Sequence, residues 1–88
     1  MNSPLKSEKQ PNNYCHIYPN PSNGLVNITY FGNDKSADLA IYDIAGKTVY
    51  SSIIYGEQQT SLNLSSGLYS VKISDKSEVL FQKLIICQ

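Results

Sequence analysis

The sequence has few of the residues from which catalytic centres are usually built. Its 88 residues include one histidine and two cysteines, and no Ser-His-Asp or Cys-His motif surrounds them. His16 therefore lacks the nucleophile and the orienting partner that a general base needs, and we interpret it as a solvent-facing strand residue. We expect that the chain is not an enzyme.

The residues for a metal centre are equally scarce. Cys15 and His16 are adjacent, so in a strand their side chains point to opposite faces, and Cys87 adds no C-x-x-C spacing. A few polar residues at predicted turns lack the spacing of a calcium-binding loop and are typical of turns instead: Asn33, Asp34, Asp38 and Asp43. The sequence predicts no metal and no other cofactor.

Charge and hydropathy exclude two further classes of partner. Seven basic residues balance seven acidic ones, so the chain has no net attraction to nucleic acid or anionic lipid. No apolar run approaches the roughly 18 residues that a membrane span requires. Residues 1–13 also lack the apolar segment of a signal peptide, so for an exported parent protein we expect the signal upstream of Met1.

The composition changes at Tyr14. Residues 1–13 contain two prolines and, after the initiator, one large apolar side chain, Leu5, so we predict a flexible linker there. Residues 14–88 are predicted to form a single domain, because the whole chain is 41% apolar and only 16% charged.

Short β-branched and aromatic runs, separated by turn residues, fill this domain, and no window shows a helical period. The pattern predicts an all-β fold, a single immunoglobulin-like β-sandwich of about seven antiparallel strands. The predicted strands are Tyr14–Tyr18, Leu25–Phe31, Asp38–Asp43, Lys47–Tyr55, Gln58–Leu64, Leu68–Ser74 and Glu78–Ile86.

Alternation within the runs predicts which side chains face the core. Val26, Ile28 and Tyr30 should share one face of the second strand, and Leu39 and Ile41 one face of the third. The sixth strand repeats the pattern with Tyr69, Val71 and Ile73, and Leu62 and Leu64 should point inward from the fifth. At the Ala45-Gly46 hairpin we expect a positive φ at Gly46.

Four short motifs occur in order along the domain. They are Tyr18-Pro19-Asn20-Pro21 with Gly24, Ile41-Tyr42-Asp43-Ile44-Ala45-Gly46-Lys47, Gly67-Leu68-Tyr69, and Lys83-Leu84-Ile85-Ile86. Their order, spacing and position resemble the type A C-terminal sorting domain of cargo of the bacterial type IX (Por) secretion system, over roughly residues 14–88. Cys15 and Cys87 are not part of that pattern.

The resemblance implies a delivery function. Such a domain directs an attached upstream cargo across the outer membrane, is recognised by the type IX machinery, and is removed by a protease with sortase activity. The cargo would pass through the periplasm to the cell surface or the medium. Cleavage needs an accessible backbone, which Lys6–Asn13 would provide.

The resemblance also carries over a set of sorting-motif residues: Tyr18, Pro19, Asn20, Pro21, Gly24, Asp43, Gly46, Lys47, Gly67, Tyr69, Lys83, Leu84, Ile85 and Ile86. We also expect Lys83–Ile86 to form an edge with unpaired backbone groups that a receptor reads by strand addition.

The two cysteines leave two alternatives open. Cys15 lies in the first predicted strand and Cys87 at the end of the last, and in many immunoglobulin-like sandwiches those strands are neighbours. A disulfide and two free thiols are both compatible with the sequence.

Two other functions remain open at the sequence level. A fibronectin-type accessory or carbohydrate-binding module would stack a glycan on strand tyrosines such as Tyr42, Tyr50, Tyr55 and Tyr69. A structural adhesin subunit would assemble through an edge strand.

Overall fold

The computed structural model describes residues 15–32 and 34–88, which form two antiparallel β-sheets and no helix. The strands are β1 Cys15–Tyr18, β2 Leu25–Tyr30, β3 Ala37–Tyr42, β4 Thr48–Ile54, β5 Glu57–Ser61, β6 Gly67–Ser74 and β7 Val79–Ile86. The predicted all-β fold of about seven antiparallel strands is confirmed. Tyr14, Asn33 and the predicted linker over residues 1–13 lie outside the described residues.

The two sheets divide the strands three and four. One sheet has the order β1-β2-β5 and the other β4-β3-β6-β7, and every strand pair is antiparallel. This division is that of an immunoglobulin-like sandwich. No helix within the described residues is long and apolar enough to cross a membrane.

The core lies between the sheets and follows the predicted alternation. Val26, Ile28 and Tyr30 are buried from β2, and every second residue of β3 and β6 is buried as well. Leu62 is buried, and Leu64 packs against the core from its margin. Fully burying one such aliphatic side chain contributes about 1.5–3 kcal/mol, so this shared core holds the sheets together.

The hairpin between β3 and β4 is closed by Asp43. Its Oδ1 accepts hydrogen bonds from the N–H groups of Ala45 and Lys47, each at 2.9 Å. Gly46 has a φ of 85°, so the predicted positive φ is confirmed. Asp43 therefore fixes the turn with its side chain, and Gly46 supplies the backbone conformation that the turn requires.

Candidate functional site

The first and last sequence motifs meet at the outer edge of β7. The side-chain amide of Asn20 donates from Nδ2 to the carbonyl oxygen of Lys83 at 2.8 Å. Its Oδ1 accepts the N–H of Ile85 at 2.9 Å. Because β6 pairs with the other edge of β7, these two bonds replace those of a neighbouring strand.

The backbone of Ser22 extends this pairing by one residue. Its N–H donates to the carbonyl oxygen of Ile85 at 2.8 Å, and its own carbonyl oxygen accepts the N–H of Cys87 at 2.8 Å. Ser22 is only 2% exposed, and its Oγ bonds to the C=O of Leu25 and the N–H of Gly24, each at 3.0 Å. We call Asn20 and Ser22 together the edge cover.

The expectation that Lys83–Ile86 form an edge with unpaired backbone groups was wrong, because the edge cover occupies most of those groups. The C=O of Lys83, both backbone groups of Ile85 and the N–H of Cys87 already have partners, so this half of the edge is not open to strand addition. The backbone groups of a strand alternate between its two edges, so those of Phe81 also point outward. They meet no hydrogen-bond partner among residues 15–32 and 34–88, and the Phe81 side chain is 67% exposed.

The closing motif divides between core and solvent. Leu84 and Ile86 are buried, whereas Lys83 is exposed and Ile85 is 43% exposed. Ile85 lies directly across the strand pair from Leu68, which is also exposed. The residues of the closing motif are therefore of two kinds, since Leu84 and Ile86 hold the strand to the core and Lys83 and Ile85 form surface.

The opening motif carries Asn20 to its position. Tyr18 is the last residue of β1 and pairs with Asn27, and Pro19, Asn20 and Pro21 follow as exposed residues. Both X-Pro peptide bonds of this segment, before Pro19 and before Pro21, are cis.

Gly24 lies where the chain enters β2. Its φ is 116°, and a Cβ at this position would lie 2.8 Å from the carbonyl oxygen of Leu62. The carbonyl oxygen of Gly24 also accepts the N–H of Leu62 at 2.7 Å. The site therefore needs glycine both for its backbone conformation and for its close approach to the end of β5.

The Gly67-Leu68-Tyr69 motif opens β6. Gly67 is the extended first residue of that strand and does not have a positive φ. A Cβ there would make only an ordinary contact of 3.9 Å with Tyr69. Tyr69 is buried, and its hydroxyl donates to the carbonyl oxygen of Ser65 at 2.7 Å, which fixes the turn before β6.

The register brings all four motifs to one end of the sandwich, which we call the motif end. Tyr42 is level with Ser70, and Ser70 with Lys83, so the hairpin at Asp43–Lys47 lies at the same end of its sheet as the close of β7. Gly67 pairs with Ile86 at that end. The contact of Ser22 with Ile86 adds the opening motif from the other sheet.

Some residues that hold β7 and the chain after it in place were not identified from the sequence. Gln88 donates its N–H to Oγ of Ser66 at 3.0 Å and its side-chain amide to the carbonyl oxygen of Leu64. The side chain of Gln82 donates to the carbonyl oxygen of Cys15 at 2.5 Å. Serine and glutamine are common on β-sheet surfaces, so no sequence signal distinguished these residues or Ser22.

The two cysteines are free thiols in this structure. Cys15 is bonded to the side chain of Gln82 in β7, whereas Cys87 is bonded to Ser22. Cys87 lies five positions after Gln82 along β7 and the residue that follows it. Five residues of strand span about 16 Å, and a disulfide requires Cα atoms within about 7 Å. The structure therefore contradicts the disulfide candidate and supports the alternative of two free thiols. Burial raises the pKa of the Cys15 thiol to about 11.

The tyrosines considered for glycan stacking do not share a surface. Tyr69 is buried in the core, and Tyr50 packs against it. Tyr55 is 60% exposed at the end of β4, and Tyr42 is half-buried. The residues that the structure describes also include no group of three or more His, Cys, Asp or Glu side chains arranged to bind a metal ion.

Comparison with models of protein families matches residues 16–87 to the secretion system C-terminal sorting domain. A comparison with curated protein sequences gave no significant match. The matched range covers most of the chain and contains all four motifs, including the edge cover and the strand to which it bonds. The chain therefore belongs to the family of C-terminal sorting domains of type IX secretion.

Proposed function

We propose that this domain directs an attached cargo protein across the outer membrane through the type IX machinery, and that a sortase then removes it by cutting upstream. The observation that carries the proposal is the family match over residues 16–87. On this proposal the domain is a protein ligand and a protease substrate, and its own side chains perform no chemistry.

The exposed residues of the motif end suit a receptor that reads shape. Ile85 and Leu68 form an exposed apolar cross-strand pair, and Lys83 adds a positive charge two positions before Ile85. The bonds of Asn20 to the backbone of Lys83 and Ile85 hold these side chains in a fixed arrangement. A receptor for the sorting signal would therefore contact a preformed surface, which reduces the entropy lost on binding.

The cleavage step is proposed to occur before the folded domain begins. Lys6–Asn13 precede β1 and lie outside the described residues, and their single proline and polar side chains are typical of an accessible linker. Cutting there would leave β1 and the edge cover intact in the released domain.

Export of a fused reporter tests the proposal. Residues 1–88 are attached behind a reporter that carries its own periplasmic signal, in a bacterium with a type IX system. Intact fusion should reach the surface or the medium, whereas a fusion lacking Lys83–Gln88 should stay in the periplasm. His16→Ala is the control, because His16 lies on the exposed side of β1, away from the motif end, and should be exported normally.

Two results would contradict the proposal. The first is normal export of the fusion that lacks Lys83–Gln88. The second is export of the intact fusion from a strain without the type IX machinery. Mass spectrometry of the exported reporter tests the cleavage step separately, since it should show a new C-terminus upstream of Cys15.

A further inference from the structure

We propose that the edge cover prevents the last strand from pairing with a second copy of this chain. Asn20 and Ser22 together occupy the C=O of Lys83, the N–H and C=O of Ile85 and the N–H of Cys87. These are the groups that another strand would use to add to the outer edge of β7. The inference concerns self-association and does not depend on the proposed export function.

The covered stretch has a sequence that favours pairing with another strand. Residues 83–87 read Lys-Leu-Ile-Ile-Cys, an apolar, β-prone run with a single charge. Such a run on an open edge is a template for pairing with another chain. Beyond the cover, the outward backbone groups that meet no partner among the described residues are limited to Val79, Phe81 and the N–H of Lys83, which is a short segment for a stable ladder.

The chemistry of the amide explains why the cover uses asparagine. Asn20 must donate to the C=O of Lys83 and accept from the N–H of Ile85 at once, and an amide side chain has both groups. An ionised aspartate would keep the acceptor but place its second oxygen against the carbonyl oxygen of Lys83. An alanine would provide neither bond.

Hydrogen exchange on the unaltered chain gives the first test. The amide protons of Ile85 and Cys87 should exchange slowly because Asn20 and Ser22 bond them. The outward amide proton of Phe81, on the same edge, should exchange much faster. Equal, fast exchange at Ile85 and Phe81 would show that the cover does not form and would overturn the inference.

The second test compares Asn20→Ala with Asn23→Ala. Asn23 is exposed in the same loop, but among the described residues its Oδ1 accepts only the local N–H of Leu25, at 3.2 Å. Asn20→Ala should speed exchange at Ile85 about tenfold, as loss of one hydrogen bond predicts. It should also dimerise in sedimentation velocity at concentrations where the unaltered chain and Asn23→Ala are monomers.

Exchange at Val71, in the core of β6, separates local opening from unfolding. If Asn20→Ala also speeds exchange at Val71, Asn20→Leu takes its place, since leucine keeps the size of the side chain but provides neither bond, and the same dimerisation is expected. A variant with fast exchange at Ile85, slow exchange at Val71 and no self-association at any concentration would overturn the inference. So would equal dimerisation by the Asn23→Ala control.

Discussion

The hydroxyl of Tyr30 donates a hydrogen bond to the carboxylate of Asp75, a residue 45 positions further along the chain. Tyr30 is the last residue of β2 in one sheet, and Asp75 follows β6 in the other. A second bond, from the N–H of Lys76 to Asp34 at 2.9 Å, ties the same turn to the loop before β3. These bonds join the two sheets at the end opposite to the motif end.

Loss of the Tyr30 hydroxyl should therefore destabilise the fold. In Tyr30→Phe the carboxylate of Asp75 loses this donor, and we expect the free energy of unfolding to fall by about 1–2 kcal/mol. Urea denaturation followed by circular dichroism measures the change. Tyr55→Phe is the matched control, because Tyr55 is exposed and its hydroxyl bonds to no described residue; its effect should stay within about 0.5 kcal/mol. Equal effects of the two variants would contradict the prediction.

Stability should decline at alkaline pH. Burial, followed by the hydrogen bond to Asp75, raises the pKa of Tyr30 to about 12 from an ordinary value of 10.0. Burial raises the pKa of Cys15 to about 11 from 9.0. Since each pKa is higher in the folded state, the associated stability is complete below the unfolded value and is lost as pH rises toward the folded one.

The free energy of unfolding should accordingly decrease from about pH 9 to about pH 12. Cys15→Ala should flatten the first part of this decrease, between about pH 9 and pH 11, and leave the later part in place. Denaturation curves at a series of pH values provide the measurement. A free energy of unfolding that stays constant from about pH 9 to about pH 12 would contradict the raised pKa values of Tyr30 and Cys15.

The three motif glycines should differ in their tolerance of alanine. Gly24→Ala introduces a Cβ 2.8 Å from a backbone oxygen at a positive φ and should cost about 2 kcal/mol or more. Gly46→Ala meets no atom within 4 Å but keeps the positive φ, so about 1 kcal/mol is expected. Gly67→Ala should be close to neutral, because that residue is extended and uncrowded. Thermal melts of the three variants test the order, and a Gly67 variant as unstable as the Gly24 variant would contradict it.

Thiol chemistry should show two free cysteines of unequal reactivity. Cys87 is exposed and should react quickly with a thiol reagent, whereas buried Cys15, with its raised pKa, should react only as the domain opens. A reductant should leave the melting temperature unchanged, contrary to what a bridge would produce. A mass two hydrogens lower than that of the dithiol, in the folded monomer, would show that the bridge forms.

Local patterns were sufficient to predict the strands and their buried faces. Alternation in Leu25–Tyr30 and Gly67–Ser74 is a property of neighbouring residues, and the structure confirms it. The pairing of Asn20 with Ile85 was not predictable in this way, because it joins residues 65 positions apart through a side chain that imitates a strand. The choice between a disulfide and two free thiols stayed open at the sequence level for a related reason, since the offset between β1 and β7 depends on the contacts of Gln82 and Ser22.

The direction of β1 determines how any preceding chain is tethered. Cys15 pairs with Tyr30 at the Asp75 end, and the strand then runs toward Tyr18 at the motif end. The described chain therefore begins at the Asp75 end, whereas Lys83 and Ile85 are exposed toward the motif end. On the proposed export function, an attached cargo and a receptor at the motif end would therefore approach the domain from opposite ends.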